Sequence, residues 1–88
     1  MFKLWARTIK NNKPIMDTDV VDDSDETRTH KVFNALDEIC RRFDLARPIW
    51  LDVNIREFQK NGRTRFRADN FINDIEFDYL EIRIMEDD

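Results

Sequence analysis

The feature that most constrains the fold is a helical hydrophobic repeat inside a stretch that contains neither glycine nor proline. Between residues 24 and 43 the apolar side chains recur at three- and four-residue spacing, at Val32, Phe33, Leu36, Ile39, Cys40 and Phe43. On an α-helix this spacing forms one continuous stripe that has to be buried against another element. Asp23 suits the N-cap, and Glu26 would complete a capping box, so we expect the helix to begin at Ser24.

Two extended segments precede this helix. The segment "FKLWARTIK" alternates between an apolar face and a mixed face, and the mixed face carries Lys3, Trp5, Arg7 and Ile9. The turn formers "NNKP" separate this segment from the weaker strand "IMDTDVV". Together they predict a β-hairpin from about residue 2 to residue 21.

A second, shorter helix is predicted in "VNIREFQKN", with Ile55 and Phe58 facing inward. Asp52 would cap its start, and Gly62 stands where a helix needs a left-handed C-terminal residue. Before this helix, "IWL" (49–51) is expected to insert into the core in extended form. After it, "RTRFR" reads as a short extended piece, and Asp69 is expected to cap a helical turn.

The chain closes with "IEFDYLEIRIM", which reads as one long strand. Its hydrophobic phase slips between Tyr79 and Leu80. Either a β-bulge or a strand whose two ends are covered on opposite faces would explain the slip. We expect this strand to lie beside the first one, because a two-stranded hairpin alone is marginally stable.

These elements predict an α+β fold in a single domain, residues 1–88. A small antiparallel sheet, made of the N-terminal hairpin and the C-terminal strand, would pack on one long amphipathic helix and a short second helix. Eighty-eight residues suit one core, and the hydrophobic fraction of 41% is too high for a disordered chain.

Charge is unevenly distributed in a chain whose net charge is −4. Residues 17–26 form an acidic run without a base, and a basic strip follows at Arg56, Lys60, Arg63, Arg65 and Arg67. After Asp69 the acids return, with Arg83 the only base. The simplest expectation is that the acidic and basic segments pair with each other, and that Arg63, Arg65 and Arg67 pair with the acidic C-terminal segment.

The basic strip is also the candidate anion-binding site. If residues 63–67 are extended, Arg63, Arg65 and Arg67 share one face, while Thr64 and Phe66 point to the other. Single-stranded nucleic acid requires cations and aromatic rings on the same platform. Here the ring would have to come from another strand, from Trp5 or Tyr79.

The candidate protein interface is the mixed face of the first strand, with Trp5, Arg7 and Ile9. An exposed aromatic residue among cations and aliphatic side chains is typical of protein interfaces. The alternative is that Trp5 packs under the second helix or under the end of the chain.

The sequence offers no catalytic, metal-binding or cofactor-binding group. Cys40 and His30 lie ten residues apart on the predicted helix, about 15 Å along its axis, beyond the reach of a catalytic dyad. Cys40 is expected in the core, and His30 beside Glu26 on the surface. A calcium loop aligned on Asp17 lacks its required ligands, which leaves a looser carboxylate site as the alternative to a solvated acidic turn. One glycine rules out glycine-rich phosphate loops. We therefore expect no cofactor and no enzymatic activity.

One cysteine allows no internal disulfide, which favours a reducing compartment. No signal peptide is apparent, and no run approaches the roughly 20 apolar residues of a membrane span. We expect a cytoplasmic protein without membrane contact.

Four segments, "KVFNALDEIC", "PIWLD", "RFRADNFI" and "FDYLEI", resemble a family of small uncharacterised proteins of anaerobic Gram-positive bacteria. The resemblance extends from about Phe2 to Glu86. It implies a bacterial cytoplasmic protein and no particular activity.

The leading expectation is a non-enzymatic protein-interaction module that associates with itself, as a homodimer for example, through the sheet face carrying Trp5 and through an exposed strand edge. The alternative is a protein that binds nucleic acid or another anion through the basic strip.

Overall fold

An antiparallel sheet with both helices packed on one side forms the structure, a computed structural model that describes residues 1–87. In chain order the elements are β1 (Phe2–Lys10), β2 (Lys13–Asp22), α1 (Arg28–Phe43), α2 (Asp52–Asn61), β3 (Arg63–Phe66) and β4 (Tyr79–Glu86). The strand order is β2-β1-β4-β3. The predicted α+β class is confirmed, and the sheet gains a fourth strand because β3 pairs with β4.

The hairpin and its neighbour are where the sequence places them. Asn11 and Asn12 connect β1 to β2 with φ angles of 52° and 64°, as a two-residue type I′ turn requires. β4 lies antiparallel to β1, with Leu4 opposite Ile84 and Ala6 opposite Ile82. The three-stranded arrangement expected from the hairpin and the C-terminal strand is therefore present.

The core lies between one face of the sheet and α1. The sheet contributes fully buried apolar side chains from three strands, namely Phe2, Leu4, Ala6, Phe66, Leu80 and Ile82. The stripe of α1 covers them with Val32, Ala35, Leu36, Ile39 and Cys40. Each large side chain removed from water contributes about 1.5–3 kcal/mol, so this contact is the main favourable term in folding.

Helix α1 begins later than predicted, and the proposed capping box at Asp23 and Glu26 is wrong. The preceding segment forms its own turns: Asp22 Oδ1 accepts a hydrogen bond from the Ser24 amide at 2.8 Å. Such local bonds compete with the helix for backbone donors. The N-cap is Thr27, whose hydroxyl accepts from the His30 amide at 3.2 Å.

Several residues expected in the core are exposed instead. Phe33 of α1 is 46% exposed. Ile55 of α2 is 41% exposed, because Asn54 and Phe58 take the inward positions of that helix. Ile49 and Leu51 are exposed as well. Of the segment 49–51 only Trp50 inserts, and its ring meets Phe66 and Phe58 edge to face, with centroids 5.0 and 5.5 Å apart.

The predicted long final strand begins only at Tyr79, which explains its change of phase. Phe77 is buried in the bend before the strand and packs against Phe71, so the slip marks the strand's start and not a bulge there. The two predicted aspartate caps are also wrong. Asp52 is the first residue of α2, and Asp69 lies inside a 3₁₀ turn, Ala68–Asn70.

Gly62 ends α2 with φ +68°, and its amide donates to the Phe58 carbonyl at 2.9 Å. A Cβ at this position would meet only Ile84 Cβ at 3.9 Å, an ordinary contact. Gly62→Ala should therefore lower the free energy of unfolding by about 1 kcal/mol through backbone strain alone. Gly62→Asn should cost less, because asparagine tolerates this conformation. Urea unfolding measures both, and an unchanged midpoint in Gly62→Ala would contradict the assignment.

Candidate functional site

The side of the sheet opposite the helices carries the candidate site. Alternation along each strand places a second set of side chains there, called the open face. Its members are Lys3, Trp5, Arg7, Ile9, Asp17, Asp19, Val21, Arg63, Arg65, Tyr79, Glu81, Arg83 and Glu86. Trp5 and Arg7 of the candidate interface and Arg63 and Arg65 of the basic strip thus belong to one surface, which the sequence treated as two.

One row across the open face is electrically balanced. Glu81, on the central strand β4, stands between Arg7 of β1 and Arg65 of β3. Its side chain is almost fully buried and accepts from Arg7 Nε at 3.1 Å and from Arg65 Nε at 3.3 Å. We call these three residues the carboxylate row. The predicted pairing of the basic strip with the acidic C-terminal segment is confirmed for Arg65.

The neighbouring row is not balanced. Arg83 of β4 has Trp5 on one side and Arg63 on the other, and we call these three residues the guanidinium row. Arg83 Nε is shielded from solvent and finds no hydrogen-bond partner among residues 1–87. The nearest carboxylate in line, Asp19, lies beyond Trp5 on β2 and pairs with Lys3 at 3.6 Å.

Two aromatic rings lie among these cations. The Arg65 and Arg67 guanidinium carbons lie 4.6 and 5.3 Å from the Tyr79 ring centroid. Those of Arg7 and Arg83 lie 4.9 and 5.9 Å from the Trp5 ring. The basic strip by itself lacks the aromatic ring that such a platform requires. Tyr79 of β4 and Trp5 of β1 supply rings from neighbouring strands.

Trp5 is held in place on the open face. Its indole Nε1 donates to Asp17 Oδ2 of β2 at 3.1 Å, and its ring is partly exposed. The alternative, in which Trp5 packs under the second helix or the end of the chain, is wrong. Ile9, the third candidate interface residue, is only 4% exposed beside Tyr79, so it offers little surface to a partner.

The basic strip divides in two. Arg63, Arg65 and Arg67 line a depression of about 500 Å³ together with Arg7, Glu81 and Arg83. Arg56 and Lys60 do not line it, whereas other residues of α2, among them Asn54, Glu57 and Asn61, form one wall of it. Of the five cations in the basic strip, three line the depression, and Arg83 of β4 joins them there.

The acidic run and the basic strip do not pair with each other as expected. Asp17 and Asp19 bind Trp5 and Lys3, and Glu26 binds His30 Nδ1 at 3.0 Å. In the described part of the chain, Arg63, Arg67 and Arg83 have no ion-pair partner. The strand order is the reason, since β2 and β3 are opposite edges, about 14 Å apart at the usual strand spacing.

A buried amide network fixes the edge that carries these arginines. Asn54 Nδ2 donates to Thr64 Oγ1 and to the Arg65 carbonyl, both at 2.9 Å. Asn54 Oδ1 accepts from the Leu51 amide and from Asn70 Nδ2 at 2.7 Å. The network joins α2, the short strand β3 and the turn after it, so a side-chain amide substitutes for further strand pairing.

The chemistry of the remaining reactive groups is limited. His30 lies beside Glu26, as predicted. Over residues 1–87, no group of three or more His, Cys, Asp or Glu side chains is placed to hold a metal ion. No helix in the described range is long and apolar enough to cross a membrane.

Comparison with known proteins identifies no relative: no protein family model, no curated protein and no solved structure matches this chain. The resemblance to proteins of anaerobic Gram-positive bacteria therefore stays a prediction.

Sequence reasoning missed Arg83 and Glu81 as members of the site. One signal pointed to Arg83, which is the only base after Asp69 in the sequence. It has the same parity as Tyr79 and Glu81, so alternation places all three on one face. What the sequence does not give is the strand order that brings Arg63 and Trp5 to either side of it.

Replacing Asn54 should loosen the edge strand. Asn54→Ala removes four hydrogen bonds and leaves buried partners unsatisfied, which costs about 2–4 kcal/mol in the free energy of unfolding. Asn34→Ala, an exposed site on α1, is the matched control and should change stability by less than about 0.5 kcal/mol. Equal unfolding midpoints in urea for the two variants would contradict a structural role for the network.

Cys40 should be chemically inert in the folded protein. It is 2% exposed, and burial raises its pKa to about 11. At pH 8 about one thiol in a thousand is then ionised, and that thiolate is shielded from reagents. A disulfide reagent should label Cys40 only as fast as the protein unfolds, with the denatured protein as control. Stoichiometric labelling within seconds under native conditions would show an accessible thiol.

Proposed function

We propose that this protein binds single-stranded nucleic acid on its open face, without a catalytic step. The observation that carries the proposal is the presence of three arginines without acidic partners, Arg63, Arg67 and Arg83, beside two aromatic rings. Binding of single strands combines cations that follow the phosphates with rings or guanidinium planes on which bases stack. The arginines line one depression, and the Trp5 and Tyr79 rings lie beside it, with guanidinium carbons 4.6 to 5.9 Å from the ring centroids.

The overall negative charge does not oppose this function. The acids of the open face are Asp17 and Asp19 at the β2 edge, Glu86 opposite Lys3, and the neutralised Glu81 in the centre. Glu57 and Asp69 also line the depression, where five arginines outnumber the three carboxylates. At physiological salt the Debye length is about 8 Å, shorter than the distance across the sheet. A phosphate at the β3 edge would therefore experience mainly the nearby arginines.

A single strand fits this surface better than a duplex. The described residues provide no helix or protruding two-stranded ribbon on the open face that would enter a major groove. A four-stranded sheet about 14 Å across suits unstacked bases instead. A cytoplasmic location, which the single cysteine favours, would give access to RNA.

Binding is tested by fluorescence anisotropy of labelled twelve-nucleotide oligo-U and oligo-dT over a salt series. If three to five phosphates are contacted, the logarithm of the association constant should fall with that of salt with a slope of about −2 to −4. Arg63→Gln/Arg67→Gln/Arg83→Gln should weaken binding at least tenfold at low salt and flatten the slope by about 2.

The matched control removes three arginines elsewhere, in Arg28→Gln/Arg41→Gln/Arg47→Gln. These side chains pair with Asp87, Glu38 and Asp37 and lie away from the open face. Both variants have the same net charge, so only the site hypothesis predicts a large difference between them. No binding of wild type at 20 mM salt, or equal loss in both variants, would overturn the proposal.

Self-association is the second candidate function, because tryptophan, tyrosine and arginine are also the residues enriched at protein interfaces. Acidic side chains lie at the β2 edge and basic side chains at the β3 edge, so the acidic edge of one copy would suit the basic edge of a second copy in a head-to-tail contact. The strand edges themselves are less suited to it. Pro14 lacks an amide donor, and Arg42 Nη1 occupies the Asp19 carbonyl of β2 at 2.8 Å.

Light scattering across a concentration and salt series separates the two functions. A mass that doubles at low salt and returns to 10.7 kDa at high salt would favour a charged head-to-tail dimer. A constant monomer mass would leave the open face available to nucleic acid. The same triple variant, Arg63→Gln/Arg67→Gln/Arg83→Gln, should abolish any salt-sensitive dimer.

A further inference from the structure

The contrast between the two rows of the open face identifies a specific anion seat. In the carboxylate row Glu81 stands between two arginines and receives a hydrogen bond from each. In the guanidinium row the same central strand places Arg83 directly opposite Arg63, and no carboxylate of residues 1–87 forms an ion pair with either. The central residues of the two rows, Glu81 and Arg83, are two positions apart on β4, so both rows have the same sheet geometry. The rows differ in whether a carboxylate neutralises the arginines.

The guanidinium row is unfavourable as it stands. Like charges directly opposite each other on neighbouring strands destabilise a sheet. In addition, Arg83 Nε is removed from solvent without an acceptor, whereas buried donors in folded proteins nearly always have one. Such local strain typically occurs at binding sites, where a ligand supplies the missing partner.

We infer that Arg63 and Arg83 form the seat for one phosphate group of the bound strand. This inference rests on the proposed function and names the chemical group held at that position. Guanidinium groups bind phosphate through paired, charge-assisted hydrogen bonds, and a phosphate between two arginines replaces their repulsion with two attractions. Lysine would supply the charge but not the paired geometry.

The Trp5 ring, on the side of Arg83 away from Arg63, indicates the direction in which a bound strand would run. Its indole N–H is engaged by Asp17, which fixes the ring while leaving it partly exposed. A base attached to the seated phosphate lies within reach of this ring or of the Arg7 guanidinium that lies over it, 4.9 Å from its centroid. The strand would thus cross the sheet from β3 toward β1, with phosphate over Arg63 and Arg83 and base near Trp5.

Thermal unfolding with inorganic phosphate as the probe tests the seat without nucleic acid. At pH 7 and constant ionic strength, replacing chloride by phosphate should raise the wild-type midpoint by about 3 °C. Arg83→Gln and Arg63→Gln should each remove that rise. Without phosphate, both variants should unfold at the wild-type midpoint or about 1–4 °C above it, because the repulsion is relieved.

Arg56→Gln is the control, since it removes an equal charge from an exposed side chain of α2 that does not line the depression, and it should retain the phosphate-dependent rise. Arg83→Lys should lose most of that rise while keeping the charge. Arg63 is exposed, so Arg63→Gln tests the seat even if Arg83→Gln fails to fold. A rise that persists in Arg63→Gln, or that is absent in wild type, would overturn the inference.

The failure of the seat and the failure of the proposed function give different results. If oligonucleotides bind, yet Arg63→Gln and Arg83→Gln weaken them no more than Arg65→Gln, the open face binds nucleic acid and the seat is wrong. If phosphate stabilises through Arg63 and Arg83 while no oligonucleotide binds at 20 mM salt, the seat stands and the single-strand function is wrong.

Discussion

The arrangement of the open face depends on the central position of β4 in the sheet. Leu80 and Ile82 are fully buried against the helices, and this fixes Glu81 and Arg83 on the opposite side. A slip of one residue would bury both charges and expose both apolar side chains, so the register is strongly determined. The burial that stabilises the fold is thus the same constraint that places a carboxylate and an unpaired guanidinium side by side.

Glu81 pairs with two arginines of the open face, Arg7 and Arg65, and leaves Arg63 and Arg83 available to a ligand. Removing a carboxylate from water is costly unless it is paired, and here Arg7 and Arg65 both donate to it. These arginines join β1 and β3 to the centre of the sheet. The other acid of β4, Glu86, stands opposite Lys3, so the arginines one pleat from Glu81 have no ion-pair partner among residues 1–87. This imbalance gives a predominantly acidic protein a local cationic surface.

Local patterns in the sequence predicted the elements well, whereas long-range placement decided the site. The helical stripe, the asparagine turn and Gly62 depend on neighbours in the chain, and each is in its expected place. The α1 cap was missed because several acids and hydroxyls compete for the same amides, and Thr27 prevails. The union of Trp5 with the basic strip depends on strand order, which periodicity does not contain.

The most direct test of the central claim, that an anionic strand binds the open face, is an amide chemical-shift titration with oligo-U. We expect shifts to concentrate in β1, β3 and β4, with the Nε–H resonance of Arg83 among the largest as it gains an acceptor. The amides of α1 should remain unchanged. Shifts centred on the groove between α1 and α2, or spread evenly over the surface, would contradict it.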